Sequence, residues 1–191
     1  MTADERRELL DIARAAIAAA LEGRDADARG TTSAALGPGA AFVTLHHGGE
    51  LRGCIGRLEP GDRLADVVAD CAVSAATRDP RFPQLTTREL THGTEIEISV
   101  LSPMQQVASP EEIEVGRDGL LIRQGPHSGL LLPQVATEWG WDRETFLAQT
   151  CRKAGLPLDA WKRGAEVSRF QAEIFNESNE PSAQDPQNSQ N

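Results

Sequence analysis

The stretch TEIEISV, Thr94–Val100, alternates without a break. Ile96, Ile98 and Val100 fall on one face, and Glu95, Glu97 and Ser99 on the other. Side chains alternate across a strand, so this is a half-buried strand that needs an apolar layer on one side only. Other segments supply its neighbours. AAFVTLHH and ELRGCIGRL flank a Gly-Gly corner and read as a β-hairpin over 41–57. AEVSRFQAEIF alternates again and is expected as one last strand over 165–175. EIEVGRDGLLIRQGPHSGLLLPQ reads as short β runs split by turns, a meander.

The covering layer comes from amphipathic helices. In TADERRELLDIARAAIAAALEG, Thr2 and Glu5 match a capping box, and Leu9, Ile12, Ala13, Ala16, Ile17 and Leu21 form one stripe. A second helix is expected over 62–77, with Asp62 as its cap and Leu64, Val67, Val68, Cys71 and Ala75 recurring on one side. A third is expected over 142–154, capped by Asp142, with Gly155 and Pro157 beyond its end. Helices beside antiparallel strands argue for an α+β domain, an antiparallel sheet flanked by helices. The domain is expected over residues 1–175, with a smaller β-containing lobe around 103–132. The polar, acidic stretch 176–191 has little to bury and is expected to be disordered.

Composition narrows the function classes. The net charge is -10, and no Lys or Arg follows Arg169. A surface that tracks phosphates needs clustered basic residues, so nucleic-acid binding is disfavoured. Three cysteines without CxxC spacing do not form a secreted disulfide framework. The first residues lack a signal-peptide apolar region, and no run approaches the ~20 apolar residues of a membrane span. A cytoplasmic protein without membrane attachment is expected. The four histidines show no metal-ligand spacing, and no phosphate-binding glycine loop occurs, so neither a metal nor a cofactor is expected.

Chemistry is best sought in LRGCIG, Leu51–Gly56. Strict alternation would send Leu51, Gly53 and Ile55 to the core and place Arg52, Cys54 and Gly56 together on the other face. A guanidinium beside a thiol favours thiolate, and flanking glycines admit a close neighbour. A free cysteine is equally at home as inert packing. Cys71 and Cys151 lie on apolar helix stripes and read as core. In TRDPRFP, Arg78, Asp79 and Arg81 crowd a proline turn. They read either as an anion clamp with Asp79 as orienting or proton-handling group, or as a turn held by local ion pairs. Glu97 and Ser99 share the polar face of their strand and read as cleft groups or as a solvated face.

At these residues the sequence resembles the AMMECR-type domain family, whose prokaryotic member is called AmmeMemoRadiSam system protein A. AAFVTL, LRGCIGRLEP, AATRDPRFPQLT, EIEISVLSP, GLLLPQVA, GWDRETFLAQTCRKAGLP and RFQAEIF follow the family's order over roughly residues 5–175. The resemblance implies an α+β fold with a larger lobe, a smaller lobe and a cleft near the hexapeptide. It implies a Memo-like protein and a radical SAM enzyme as partners, and it attaches no firm reaction. The residues matching family motifs are Arg52, Gly53, Cys54, Gly56, Arg78, Asp79, Pro80, Arg81, Phe82, Glu97 and Ser99.

Two readings stand at this point. In the first, the chain is an enzyme or enzyme component. Cys54 is then the nucleophile, Arg52 holds the thiolate or an anionic substrate, and Asp79 or Glu97 handles protons; Gly53, Gly56, Arg78, Arg81 and Ser99 complete the binding surface. In the second, the chain is a non-catalytic module that binds a small molecule or a partner segment, and LRGCIG is structural. No histidine is placed by sequence to act as base for Cys54.

Overall fold

The computed structural model describes residues 1–25 and 28–180. They divide into two compact units, Met1–Val100 with the chain from Glu173, and Leu101–Ala172.

The first unit contains α1 (Ala3–Leu21), a single-turn α2 (Ser33–Leu36), β1 (Ala40–His47), β2 (Glu50–Arg57), α3 (Leu64–Thr77), a short α4 (Thr87–Thr91) and β3 (Thr94–Leu101). The second continues with β4 (Gln105–Gln106), β5 (Gly119–Gln124), β6 (His127–Leu131), α5 (Pro133–Glu138), α6 (Arg143–Lys153) and β7 (Glu166–Phe170). The chain then returns to the first unit as β8 (Ala172–Asn176).

The first sheet has the order β2-β1-β3-β8. Gly48 and Gly49, with φ of 61° and 84°, make the β1–β2 corner, a conformation costly for a side chain with a Cβ. α1 and α3 supply Leu9, Ile17, Val67 and Val68 to a core that also takes Val43, Leu45, Ile96, Ile98 and Phe175. Ile96 and Ile98 of β3 are fully buried as expected, but Val100 is only partly buried and Ser99, expected on the open face, is buried. The Thr2–Glu5 capping box starts α1.

The second sheet has the order β4-β7-β5-β6, and its observed pairs are antiparallel. Its own core gathers Leu120, Ile122, Phe146, Leu147 and Cys151. Asp142 caps α6 by accepting from the Thr145 N–H. The architecture is α+β, with helices and two antiparallel sheets.

Several expectations are corrected. Asp62 does not cap α3; Arg63 occupies the cap position, and Asp62 accepts from Arg57 at 2.6 Å instead. The last strand is two strands in different sheets, broken at Gln171. The apolar positions change phase near the break, from Ala165 and Val167 to Phe170 and Ala172, but a phase change alone does not mark a change of sheet. The smaller unit is wider than 103–132, because α5, α6 and β7 join the meander in burying one core. The fold does not stop before Asn176, which ends β8. Glu177 then takes two hydrogen bonds from Arg14 and one from the Ile96 N–H. The rest of the expected tail, 181–191, lies outside the described residues.

Candidate functional site

β2 is an edge strand. Its register against β1 pairs Thr44 with Cys54 and Leu45 with Gly53, but His46 with Leu51. Arg52 is therefore an extra residue, a β-bulge, and the bulge resets the alternation. Gly53 and Ile55 stay on the helix-covered face beside buried Leu45 and Val43. Leu51 does not go inward as expected and is exposed. A Cβ on Gly53 would stand 2.3 Å from the Ala75 carbonyl oxygen of α3, so glycine is required by the approach of the helix. Gly56 lies under the Phe42 ring, on the opposite face.

An edge strand leaves backbone donors and acceptors unpaired. The segment after α3 supplies the partners. Asp79 Oδ2 accepts from the Cys54 N–H at 2.9 Å, and Arg81 Nη2 donates to the Cys54 carbonyl at 3.3 Å. Arg81 also grips both Asp79 oxygens through Nε and Nη2, at 3.0 and 2.7 Å. The Asp79 side chain is only 1% exposed. Arg81's hydrogen bonds, followed by the backbone N–H groups of Cys54 and Arg81, hold its carboxyl well below the usual range against the opposing effect of burial.

Arg52 completes the seal. It donates from Nε to Glu89 Oε1 at 3.0 Å and from Nη1 to the Pro83 carbonyl at 2.8 Å. Arg52's hydrogen bond lowers Glu89 to about 2, with help from the backbone and hydroxyl of Thr86. The expected pairing of Arg52 with the thiol is thus replaced by an ion pair with α4. Glu89 went unnoticed in the sequence, although TTRE carries the signal. Thr86 and Glu89 form a capping box, which marks a helix start.

The thiol lies elsewhere. Cys54 is half-buried on the sheet face away from α1 and α3, and the Thr44 hydroxyl donates to its Sγ at 3.3 Å. Glu97 and buried Ser99 occupy that face on β3 by alternation from Ile96 and Ile98. β1 lies between them and β2, so their backbones are two strand spacings from Cys54, roughly 10 Å. Arg78 is exposed at the end of α3. The structure therefore joins Arg52, Gly53, Cys54, Asp79 and Arg81 into one constellation. Glu97 and Ser99 share a face with the thiol, and Arg78 joins neither group. His47 pairs with Thr94 at 3.2 Å, and no group of metal-ligating side chains forms among the described residues.

Cys71 and Cys151 are core residues as expected. Burial pushes the Cys71 thiol up to about 11 and raises Cys151 as well.

An α+β chain with this edge lock falls into a recognised group. The AMMECR1 family model matches residues 10–175, and the chain belongs to that family. Among its relatives, an archaeal protein of Methanothermobacter thermautotrophicus is 52% identical over 143 residues, covering 71% of this chain and 74% of its own length. Protein TK0174 of Thermococcus kodakarensis is 52% identical over 147 residues, covering 71% of each chain. The crystal structure of the uncharacterized protein PH0010 from Pyrococcus horikoshii superposes with a TM-score of 0.84 at 40% identity, covering 91% of each chain.

Proposed function

We propose that this protein is a non-catalytic binding component of an AmmeMemoRadiSam-type system, in the cytoplasm, presenting a small molecule or partner segment to a Memo-like protein and a radical SAM enzyme. The partners come from the family resemblance. The absence of catalysis rests on one observation: the charged groups of the best motif are committed within the fold. Asp79 is held ionised and enclosed by Arg81 and the Cys54 N–H, and so is not poised to exchange protons near neutrality. Arg52 is bound to Glu89 and two backbone carbonyls. On this reading LRGCIG and RDPRF are two halves of an edge seal.

A second reading, the reactive thiol, is favoured by the Thr44 hydroxyl aimed at Cys54 Sγ. A hydroxyl held against the sulfur fixes its orientation, as a cysteine nucleophile requires.

The experiment combines the purified chain with the Memo-like and radical SAM proteins of the same genome. Complex formation is measured by sedimentation and product formation by mass spectrometry. The binding reading expects a complex whose assembly and output survive Cys54→Ala. A loss of output by roughly a hundredfold or more with the complex intact establishes the thiol reading instead. Failure of the three proteins to associate overturns the proposed partnership.

A further inference from the structure

The second unit carries a polar cavity of about 320 Å³ that the edge seal does not involve. Ser102, Gln105, Arg117, Asp118, Arg169 and Gln171 line it. In a chain of net charge -10, this lining brings two guanidiniums together with one carboxylate, and Glu114 beside it pairs with Arg117, so what the cavity offers is oriented guanidinium donors and not a surplus of charge.

The carboxylate serves the arginines. Asp118 is 1% exposed. It accepts from Arg117 Nε and Nη2, each at 2.9 Å, and from the Glu114 N–H at 2.9 Å, while Arg169 Nη1 stands 3.6 Å away. Burial alone would raise its pKa, but these donors outweigh it and hold the group ionised. The nearby glutamates are turned to other partners: Glu114 to Arg117, and Glu112 Oε1 to the Ala108 and Ser109 N–H groups.

Arg169 is the residue left with capacity. It sits on β7 directly opposite Gln105 of β4, which fixes both at the cavity. Its Nη1 is spent on the Glu112 carbonyl at 2.5 Å and on Asp118. Nε and Nη2 make no hydrogen bond among the described residues, and the side chain is 25% exposed. Two parallel N–H groups on a guanidinium fit the two oxygens of an oxyanion. The side-chain amides of Gln105 and Gln171 offer further donors and acceptors beside it.

We propose that this cavity is a binding site for the carboxylate or phosphate group of a small polar metabolite, with Arg169 as the anchoring cation and Asp118 and Arg117 as its positioning frame. The volume fits a ligand at the small end of the usual range. A nucleic-acid backbone is excluded as occupant, because one guanidinium with open donors cannot track a run of phosphates.

The test titrates the full-length protein with inorganic phosphate and, separately, with acetate in chloride-free buffer. Binding is followed through the amide NMR shifts of residues 102–106 and 167–171. Saturable shifts confined to those segments and to residues 114–118 are expected with at least one probe, and the stronger probe identifies the oxyanion class. Arg169→Gln should weaken binding roughly tenfold or more, the loss of a charge-assisted pair, whereas Arg152→Gln, at an exposed position of α6, leaves it unchanged. Gln171 contributes only backbone hydrogen bonds to the fold, so its side chain can be changed without dismantling the frame. Gln171→Glu should weaken binding and Gln171→Lys strengthen it, which keeps the proposal testable even where Arg169→Gln fails to fold. No saturable shift with either probe, or binding indifferent to the sign of the charge at 171, overturns it.

Discussion

At the scale of single residues, the two glycines of LRGCIG are required for different reasons, and their replacement should separate them. The Cβ of Gly53→Ala would meet the Ala75 carbonyl, which belongs to the backbone of α3 and cannot yield without moving the helix. The Cβ of Gly56→Ala would meet the Phe42 ring, which can turn aside. Denaturant midpoints should therefore show a loss of about 3 kcal/mol for Gly53→Ala and about 1 kcal/mol for Gly56→Ala, the two ends of the overpacking range. Equal losses would contradict the geometry. Asp79 makes a second prediction. Its carboxyl titrates far below the unfolded value of about 3.9, so its stabilisation is fully present at neutral pH. The contribution starts to fall as pH drops below about 4 and is gone once pH has passed through the folded value. Asp79→Asn should cost about 1–3 kcal/mol at pH 7, and less at each step down in pH below 4, measured by urea unfolding. A cost that is constant down to pH 2 would show that the charge does not contribute.

At the scale of elements, what was legible was whatever periodicity and caps encode locally. β3, the β1–β2 hairpin, α1 and α6 were readable because each writes its buried face or its cap in neighbouring residues. The bulge at Arg52 was not, since Leu51, Gly53 and Ile55 read as regular alternation, and the extra residue shows only against the partner strand. The division of β7 from β8 was missed for another reason: the apolar positions slip by one residue between Val167 and Phe170, and such a slip fits a bent strand as well as two strands. The motif residues of the site were found, but Arg52's partner was not, because Glu89 lies 37 positions away across a helix and a loop. The end of the fold was misjudged for a related reason. Glu177 looks like tail by composition, yet it binds Arg14 on α1 and the Ile96 N–H of β3. Glu177→Ala should therefore cost about 1–3 kcal/mol, since it leaves a partly enclosed guanidinium and a strand N–H without their acceptor. Glu173→Ala removes a more exposed partner of Arg6 and the N-terminal amine, and should cost under about 1 kcal/mol. Thermal unfolding of the two variants gives the comparison directly, and a milder effect at 177 than at 173 would be the contrary result.

At the scale of the whole molecule, charge decides which large partners are open to it. No helix among the described residues is long and apolar enough to cross a membrane. Of the 19 basic residues, several are already paired with carboxylates, most of them at the surface: Arg6 with Glu173 and Glu180, Arg14 with Glu177, Arg57 with Asp62 and Asp70, Arg63 with Asp66, Arg163 with Asp159. A paired arginine contributes little net positive potential, and a net -10 surface repels a polyanion before contact. Affinity for nucleic acid is built mainly from counterions released as several phosphates are neutralised together. This chain has acidic partners beside the arginines that would have to do so. A single oxyanion in the Arg169 cavity makes a different demand, because it needs one oriented guanidinium and not a track. The two expectations can therefore be set against each other in one series of measurements. Fluorescence anisotropy of a labelled 20-mer duplex and of a single-stranded RNA should show no binding up to tens of micromolar protein at 150 mM salt, in the same preparation that binds phosphate or acetate. Micromolar binding that collapses steeply with added salt would reveal a basic surface that the ion-pair pattern conceals, and would return nucleic acid to the list of partners.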